Sequence, residues 1–339
     1  MRDAIRILAG SDVHTLLQDR EAEILDCVRE AYRTFGTGQA CLPHSSFLRF
    51  NSDPRDRIIA LPAYLGGSFE TAGLKWISSV PANHDRRIDR ASGIVALNDL
   101  ATGRVTAILE ASIISAKRTA ASAALAARTL CAKLAPLQVG LIGLGRINFE
   151  VLRFLRSVFP TIQTVHAYDS DPSRYAQFSA ALAQWNSTPR LLQSSNPQAT
   201  LSASSLTSFA TTAVTPHIES LSEVASDAVI LHLSLRDLSV DAILAANNVV
   251  DDVDHVCRAN TSVHLASEHV GHREFLTPLI NILEVPRERW AKPAPVIFSP
   301  FGLGVLDVAV GSLALRLARE SRIGTIVEDF HPELWTGRS

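Results

Sequence analysis

The sequence of 339 residues contains few cysteines and no pair of them in a metal-binding spacing. Cys27, Cys41, Cys131 and Cys257 lie far apart, which argues against a disulfide scaffold and against a zinc finger. They fit reduced, mostly buried thiols, so we expect a cytoplasmic protein. No apolar run reaches the roughly 18 residues of a membrane span, and we expect neither a signal peptide nor a membrane partner.

The chain also lacks an excess of charge of either sign. It has 32 Lys and Arg against 34 Asp and Glu, and no basic stripe, so no nucleic-acid partner is expected. Lysine is especially scarce, with only Lys75, Lys117, Lys133 and Lys292. Hydrophobic residues, at 47 %, are enough for a sizeable core, which excludes disorder as the main state.

The first third of the chain and the remainder follow different patterns. Residues 20–36 predict an amphipathic helix, and short apolar runs over 45–110, separated by Gly, Pro, Asn and Asp, predict strands joined by turns. An Ala-rich helix is predicted from Ser112 to about Lys133.

Alternation of strand and helix between residues 137 and 300 predicts a doubly wound parallel sheet, an α/β fold. Residues 186–206 predict a loop with one weak strand, because they are rich in Ser, Thr, Asn and Pro. Further strands are predicted at 208–212, 228–233, 248–250 and 295–298, and a last helix at 305–320.

A glycine-rich turn follows the strand at 137–142. Gly143-Leu-Gly145-Arg146-Ile147-Asn148 opens a helix, where glycines and free N–H groups suit a pyrophosphate. Asn148 replaces the usual third Gly or Ala. Asp169 closes the next strand, twenty-four residues after Gly145, and an acid there favours NAD over NADP. An ordinary turn that binds nothing is the alternative.

Two cations lie in segments that otherwise have little charge. Lys75 follows Gly73 and precedes Ile77 on one strand face, so it either faces solvent or holds a carboxylate or a proton near a cofactor. Arg118, on the Ala-rich helix, either clamps a carboxylate or forms a surface ion pair.

Two clusters of acids and histidines have spacings that fit no standard metal site. One comprises Asp251, Asp252, Asp254 and His255, and the other His264, Glu268, His269 and His272. We interpret the acids as belonging to a strand end and a helix N-terminus, and predict no metal.

Taken together, the motifs resemble the ornithine cyclodeaminase/mu-crystallin family over nearly the whole chain. The resemblance lies in short motifs along the sequence: Leu61–Tyr64, Lys75, Pro81–Asn83, Leu97–Gly103, Ile108–Ser112, Lys117–Ala121, the Gly143 turn and Phe301–Asp307. Other segments resemble the branch that makes 2,3-diaminopropionate for siderophores and peptide antibiotics: Ser78–Asn83, Ile88–Ser92, Ile113–Thr119, His232–Ser239 and Asp251–Asn260.

The resemblance implies two domains and a homodimer. Residues 1–115 with 305–339 would form a strand-rich α+β dimerisation and substrate domain, and residues 116–304 a Rossmann domain that binds NAD, with the site in the cleft. The implied activity is oxidative hydrolysis of N-[(2S)-2-amino-2-carboxyethyl]-L-glutamate to L-2,3-diaminopropionate and 2-oxoglutarate. A pyridoxal-phosphate-dependent synthase would act upstream.

The same resemblance assigns roles to individual residues. Lys75 and Arg118 would hold the substrate carboxylate, with Arg49 (or His44) as a weaker candidate. The cofactor would contact Ser92, Arg118, Thr212, Ser234 and Asp169, together with Gly143, Gly145, Arg146, Ile147 and Asn148. The proton relay is left open among Lys75, His232 and Asp237.

One departure from the family pattern bears on the reaction. Ornithine cyclodeaminases carry a Gly-Asp-x-Pro-Gly stretch, whereas this chain has Leu233-Ser-Leu-Arg-Asp237. That difference argues against ornithine cyclisation. The alternatives are another enzyme of the family (a cyclodeaminase, an amino-acid dehydrogenase or a ketimine reductase) and a ligand-binding protein without catalysis, like the mu-crystallins.

Overall fold

A computed structural model describes residues 4–51, 53, 55–131, 136–283 and 292–332 of the chain. Sixteen strands are described: β1 Ile5–Leu8, β2 Ala40–Cys41, β3 Ser46–Leu48, β4 Arg57–Leu65, β5 Thr71–Ser79, β6 Ala91–Asn98, β7 Val105–Glu110, β8 Gln138–Ile142, β9 Thr164–Tyr168, β10 Arg190–Gln193, β11 Leu206–Phe209, β12 Val229–His232, β13 Asn247–Val250, β14 Leu276–Pro278, β15 Val296–Phe298 and β16 Thr325–Val327.

Eleven α-helices are described in the same residues: α1 Gly10–Leu17, α2 Glu21–Gly36, α3 Ala111–Leu130, α4 Arg146–Val158, α5 Pro172–Leu182, α6 Pro197–Ser202, α7 Val240–Ala245, α8 Val253–Val256, α9 Ser262–Val270, α10 Ile280–Leu283 and α11 Gly304–Ser321. A 3₁₀ helix covers Pro81–Arg86. Within the described ranges, no helix has both the length and the apolar character needed to span a bilayer.

The chain divides into two compact units. Unit 1 comprises Met1–Arg118 with Leu303–Ser339, and unit 2 comprises Thr119–Gly302. The roles assigned from sequence, substrate and dimer contacts for 1–115 with 305–339 and NAD binding for 116–304, stay predictions.

Unit 1 is built on a mixed sheet in the order β16-β1-β7-β6-β5-β4-β2, with β3 paired to β4. β1 and β7 are parallel, and the other pairs are antiparallel. Helices α2 and α11 pack together, and α11 covers β4, β5 and β6. Side chains of β5 alternate strictly, so its buried face points toward the helices.

The opposite face of this sheet exposes large apolar side chains. Ile7, Tyr64, Trp76 and Ile94 are each more than a third exposed. Register places Trp76 opposite Ile94 in β6 and Ala60 in β4, so these side chains stand on one face. A contiguous apolar face of this kind is typical of a protein–protein interface.

Unit 2 is built on eight parallel strands in the order β10-β9-β8-β11-β12-β15-β13-β14. The central strands are buried along their length, as expected for a parallel sheet with helices on both faces. The order reverses at β8, because β9 lies on one side of it and β11 on the other. Ligands bind at such switch points, beyond the carboxyl ends of the strands. The predicted doubly wound α/β fold is confirmed.

Most helices and strands predicted from the sequence are present, with three differences. The Ala-rich helix is α3, described to Leu130, and Lys133 lies outside the described residues. The strand predicted at 208–212 is Leu206–Phe209, because Thr211 has left the sheet to hydrogen-bond a side chain. The segment 186–206 contains the one strand predicted there, β10, but also the helix α6, which Asn196 caps and which was not predicted.

Candidate active site

Lys75 is buried in the interior of unit 1. It lies in the middle of β5, opposite Leu61 of β4 and Val95 of β6, and only 2 % of its surface is exposed. The strand alternation predicted from Gly73 and Ile77 is confirmed, but the solvent-facing alternative is wrong because this face is covered by α11.

Two further charged side chains meet Lys75 there. Asp307, in the first turn of α11, is fully buried, and its Oδ2 lies 2.7 Å from Lys75 Nζ. Its Oδ1 accepts a hydrogen bond of 2.9 Å from Nε of Arg118, which comes from α3. Lys75 Nζ also donates to Ser115 Oγ at 3.1 Å. We call Lys75, Arg118 and Asp307 the charged cluster.

The charged cluster has two cations and one carboxylate. Burial and, to a smaller extent, the positive charge of Arg118 outweigh the opposing effect of Asp307 and together lower the pKa of Lys75 from 10.5 to about 8. A buried positive charge without a counter-ion is costly. The cluster can therefore bind one anion, and the Nη1–Nη2 edge of Arg118 matches the geometry of a carboxylate.

A second group of predicted residues lies in unit 2, at the switch point of the parallel sheet. Gly143 has φ +88°, and a Cβ there would lie 2.5 Å from the carbonyl oxygen of Ala210. Only glycine fits this position, because the turn after β8 passes against the backbone that follows β11. Gly143 is therefore explained by the fold alone.

Gly145, at the N-cap of α4, is not explained in that way. Its φ of −90° and ψ of −176° are open to any residue, and a Cβ there would have no heavy atom within 4 Å. The fold therefore does not require glycine at position 145. The absence of a side chain there would instead leave room for a group outside the chain to approach the N-terminus of α4. The turn can hold a pyrophosphate, with Arg146 exposed and Ile147 half-buried beside it.

Asn148 and Asp169 tie this turn to its surroundings. Asn148 is fully buried, and its Nδ2 donates to the carbonyl oxygens of Ile142 and Gly143 at 3.0 and 2.7 Å. Its Oδ1 accepts from Ser208 Oγ at 2.7 Å. Asp169 Oδ2 accepts from the N–H of Leu144 at 2.7 Å. A carboxylate has about four acceptor sites, so Asp169 keeps capacity for hydroxyl donors.

His232 and Asp237 are both fully buried in unit 2. His232 Nε2 lies 3.2 Å from both Oδ2 and the backbone N of Asp237, and its Nδ1 lies 3.3 Å from Ser299 Oγ. The hydroxyls of Thr211 and Ser234 both donate to the Asp237 carboxylate.

These hydrogen bonds set the charge of Asp237. Burial alone would raise its pKa, but hydrogen bonds from His232, Ser234 and Thr211 outweigh it and lower the pKa from 3.8 to about 2. A carboxylate with so low a pKa stays ionised at neutral pH. It is therefore suited to holding the loops after β11 and β12 and poorly suited to exchanging protons.

The loop that contains Ser234 is also held under backbone strain. Leu235 has φ +67°, a left-handed conformation that is unusual for a large side chain. Its carbonyl accepts from the N–H of Ser262 at 2.8 Å, and Arg236 donates to the carbonyl of Ala259 at 2.6 Å. Such strain persists only where surrounding contacts impose it.

The remaining predicted residues are more exposed. Arg49 and His44 lie on exposed chain flanking β3, and Ser92 is exposed on β6. Thr212 lies in the loop after β11 and is exposed. Unit 1 brings Lys75 and Arg118 together, and unit 2 brings His232, Ser234 and Asp237 together.

The acid and histidine clusters have structural roles. Asp252 caps α8, and Asp251 accepts backbone N–H groups of Phe301 and Gly302 at 2.9 and 2.7 Å. His264 lies 3.4 Å from Glu268, one turn along α9. In the part of the chain that the structure describes, no group of three or more His, Cys, Asp or Glu is placed to hold a metal ion.

Sequence reasoning missed Asp307 as the partner of Lys75 and Arg118. It lies 232 and 189 positions away from them, and no local pattern links the three. An available signal was an acid in the first turn of a helix whose N-terminal half is otherwise without charge, because such a buried charge needs a cation. Thr211 and Ser299 were missed for the same reason, since their partners are also distant in sequence.

Comparisons with known proteins agree with this architecture. Residues 6–198 match the profile of the ornithine cyclodeaminase/mu-crystallin family. The N-((2S)-2-amino-2-carboxyethyl)-L-glutamate dehydrogenase of Staphylococcus aureus is 28 % identical over 94 % of this chain and 96 % of its own length.

Two solved structures share the fold. The Delta(1)-pyrroline-2-carboxylate reductase of Thermococcus litoralis, with NADH and L-proline, has a TM-score of 0.85 at 22 % identity, covering 95 % of this chain and 99 % of its own. An archaeal alanine dehydrogenase dimer with bound NAD has a TM-score of 0.82 at 24 % identity, covering 96 % and 99 %.

The charged cluster generates a stability prediction. Asp307→Asn leaves two buried cations without their carboxylate, so we expect the free energy of unfolding to fall by about 3–5 kcal/mol. Adding Lys75→Met should recover part of the loss, because one of the two cations is then removed. Urea unfolding at pH 7 measures both. An Asp307→Asn protein within about 1 kcal/mol of wild type would show that the cluster is not a coupled unit.

Proposed function

The chain belongs to the ornithine cyclodeaminase/mu-crystallin family, and from that premise we propose that it is an NAD-dependent oxidoreductase that acts on the CH–NH group of an amino acid. We propose further that the substrate is N-[(2S)-2-amino-2-carboxyethyl]-L-glutamate. With NAD⁺ and water, this compound would give L-2,3-diaminopropionate, 2-oxoglutarate, NADH and a proton. Such a reaction serves the biosynthesis of siderophores or peptide antibiotics.

One observation of the molecule carries the proposal. The charged cluster has an excess positive charge in an apolar interior, which suits the carboxylate of an amino acid. The similarity to the Staphylococcus aureus enzyme over nearly the full length of both proteins supports the specific substrate.

Lys75 and Arg118 would bind the α-carboxylate next to the carbon that is oxidised. Asp307 holds both cations from one helix turn, so their positions are fixed before the substrate arrives. Because the two cations are already in place, binding of the carboxylate would also orient the substrate for reaction. Because the pKa of Lys75 is about 8, its ammonium can also release a proton near neutral pH, and we assign the proton relay to Lys75 Nζ.

The residues around the Gly143 turn fit a dinucleotide. Gly145 leaves room for a pyrophosphate at the N-terminus of α4, and Asp169 retains acceptor capacity for ribose hydroxyls. When bound, NAD⁺ supplies the hydride acceptor. Asn148 would hold the turn in shape rather than touch the cofactor, because its amide is occupied by the carbonyls of the turn and of Ser208.

Asp237 and His232 would act as positioning residues. Asp237 fixes Thr211 and Ser234 at the carboxyl ends of β11 and β12, the edge of the parallel sheet on which the Gly143 turn lies. Ser234 and Thr212 would then contact the cofactor from these loops, and Ser92 from β6. Arg49 remains a candidate for a further substrate carboxylate.

We propose that the protein acts as a homodimer and receives its substrate from another enzyme. The apolar face that includes Ile7, Trp76 and Ile94 would be covered by a second copy of the chain. The archaeal alanine dehydrogenase of the same fold is a dimer. A pyridoxal-phosphate-dependent synthase that joins glutamate nitrogen to a three-carbon amino acid would supply the substrate.

A second candidate is an amino-acid dehydrogenase with a smaller substrate. The likeness to the archaeal alanine dehydrogenase over 96 % of the chain favours it. Such an enzyme would form NADH from alanine and release ammonia. A substrate panel separates the two functions, because only the first releases diaminopropionate.

The proposed reaction predicts NADH formation from the purified protein, NAD⁺ and synthetic N-[(2S)-2-amino-2-carboxyethyl]-L-glutamate. Mass spectrometry should identify diaminopropionate and 2-oxoglutarate in equal amounts. Lys75→Ala should lower kcat/KM by about 100-fold or more, because it removes both a carboxylate contact and the proton relay.

Arg128→Ala is the matched control, since Arg128 is exposed on the same helix as Arg118. It should leave kcat/KM within about twofold of wild type. A folded protein that binds NAD⁺ and does not turn over this substrate would refute the specific assignment. A Lys75→Ala protein with nearly full kcat would refute the role of Lys75.

The Gly143 turn predicts opposite effects for its two glycines. Gly145→Ala should leave the melting temperature unchanged and weaken NAD⁺ binding by about tenfold or more, because the added methyl meets only the cofactor. Gly143→Ala should lower the melting temperature, because its methyl meets the Ala210 backbone. Fluorescence titration and thermal unfolding measure the two effects. Unchanged NAD⁺ affinity in Gly145→Ala would place the cofactor elsewhere.

A further inference from the structure

Lys75 and Arg118 share Asp307, but Arg90, a half-buried cation of unit 1, has no carboxylate partner among the described residues. It immediately precedes β6, where its carbonyl accepts from the N–H of Val80 at 2.9 Å. Its Nη1 donates to Ser79 Oγ at 3.1 Å. Burial lowers the pKa of Arg90 from 12.5, and no neighbouring carboxylate opposes that effect. Within the described residues, the guanidinium of this half-buried arginine contacts a neutral hydroxyl and no carboxylate.

The position of Arg90 relates it to the charged cluster. Ser79, which it contacts, is on the same face of β5 as Lys75, four residues further along. At about 3.3 Å per residue the two Cα atoms are ~13 Å apart. Arg57 stands directly opposite Ser79 in β4, so a second guanidinium shares this end of the face.

This spacing suits a molecule with carboxylates at separated points. A small amino acid such as alanine has one carboxylate and leaves Arg90 without an anion. The substrate proposed above has three carboxylates, of which the charged cluster takes one.

We propose that Arg90 binds a second carboxylate of the substrate and thereby selects amino acids with several carboxylates over those with one. The inference rests on the proposed function, because it assumes that the charged cluster binds the α-carboxylate. Ser79 orients the guanidinium through its hydroxyl. Selection works by leaving the half-buried charge of Arg90 without a carboxylate when a monocarboxylate binds.

The test measures binding without turnover. Isothermal titration of the full-length protein with NADH would give the Kd of three ligands: 2-oxoglutarate, L-2,3-diaminopropionate and pyruvate. In Arg90→Gln the Kd of one of the first two should rise about 10- to 100-fold, which corresponds to loss of a charged hydrogen bond. The Kd of pyruvate, which has one carboxylate, should stay within about twofold.

Two variants control for charge and for folding. Arg86→Gln removes the same charge from an exposed arginine of the neighbouring 3₁₀ helix and should leave all three Kd values unchanged. Arg90→Lys keeps the charge and should retain a Kd intermediate between wild type and Arg90→Gln. The product whose affinity falls identifies which half of the substrate carries the second carboxylate.

Each outcome decides one of the two proposals. If wild type binds both products and Arg90→Gln binds them equally well, the role of Arg90 is refuted while the proposed function stands. An equal loss of affinity for pyruvate would mark Arg90 as merely structural. If wild type with NADH binds neither product, the proposed function fails and the inference about Arg90 fails with it.

Discussion

The contacts of Asp307 with Lys75 and Arg118 are the constraint on which the account of unit 1 depends. One carboxylate joins a strand, the start of α11 and the helix α3 inside an apolar core. Removing Asp307 leaves both cations buried without a carboxylate, whereas removing either cation leaves the other paired with Asp307. The arrangement is one negative charge short of neutrality, and on that deficit we base the proposal that the charged cluster binds a carboxylate.

The candidate site of unit 2 is formed mainly by backbone groups rather than by buried charges. There the backbone provides the site, through a glycine turn and the free N–H groups of a helix N-terminus, and side chains mainly hold that backbone in place. Asn148 fixes the turn after β8, and Asp237 fixes the loops after β11 and β12. The two units thus divide the chemistry between them, with buried charges in one and shaped backbone in the other.

Local signals in the sequence were sufficient for much of this. The alternation of strands and helices between residues 137 and 300 predicted the parallel sheet, and the glycine turn with Asp169 predicted a dinucleotide site, because each pattern is contiguous in the chain. Lys75 was identified, but its burial was not, since alternation alone cannot say which face a helix covers. His232, Ser234 and Asp237 were identified from one short segment, but the contacts of Asp307 and the bond from Thr211 to Asp237 were not predicted, because those partners come from distant segments. The helix α6 was not predicted, although Asn196 is a favoured N-cap residue and Pro197 is favoured at the first position of a helix. The surrounding segment is rich in Ser and Thr, and that composition favoured a loop.

The most direct test of the central claim is the pH dependence of 2-oxoglutarate binding in the presence of NADH. This ligand has no group that titrates between about pH 6 and pH 10, so any change reports on the protein. The pKa of Lys75 is lowered to about 8, first by burial and then by Arg118, so its ammonium is charged below that pH and neutral above it. We therefore expect the Kd of 2-oxoglutarate to be constant up to about pH 8 and to rise above that pH. The Lys75→Met protein should show no such loss of affinity. A Kd that stays constant to pH 10 in wild type would contradict the claim that Lys75 holds the substrate carboxylate.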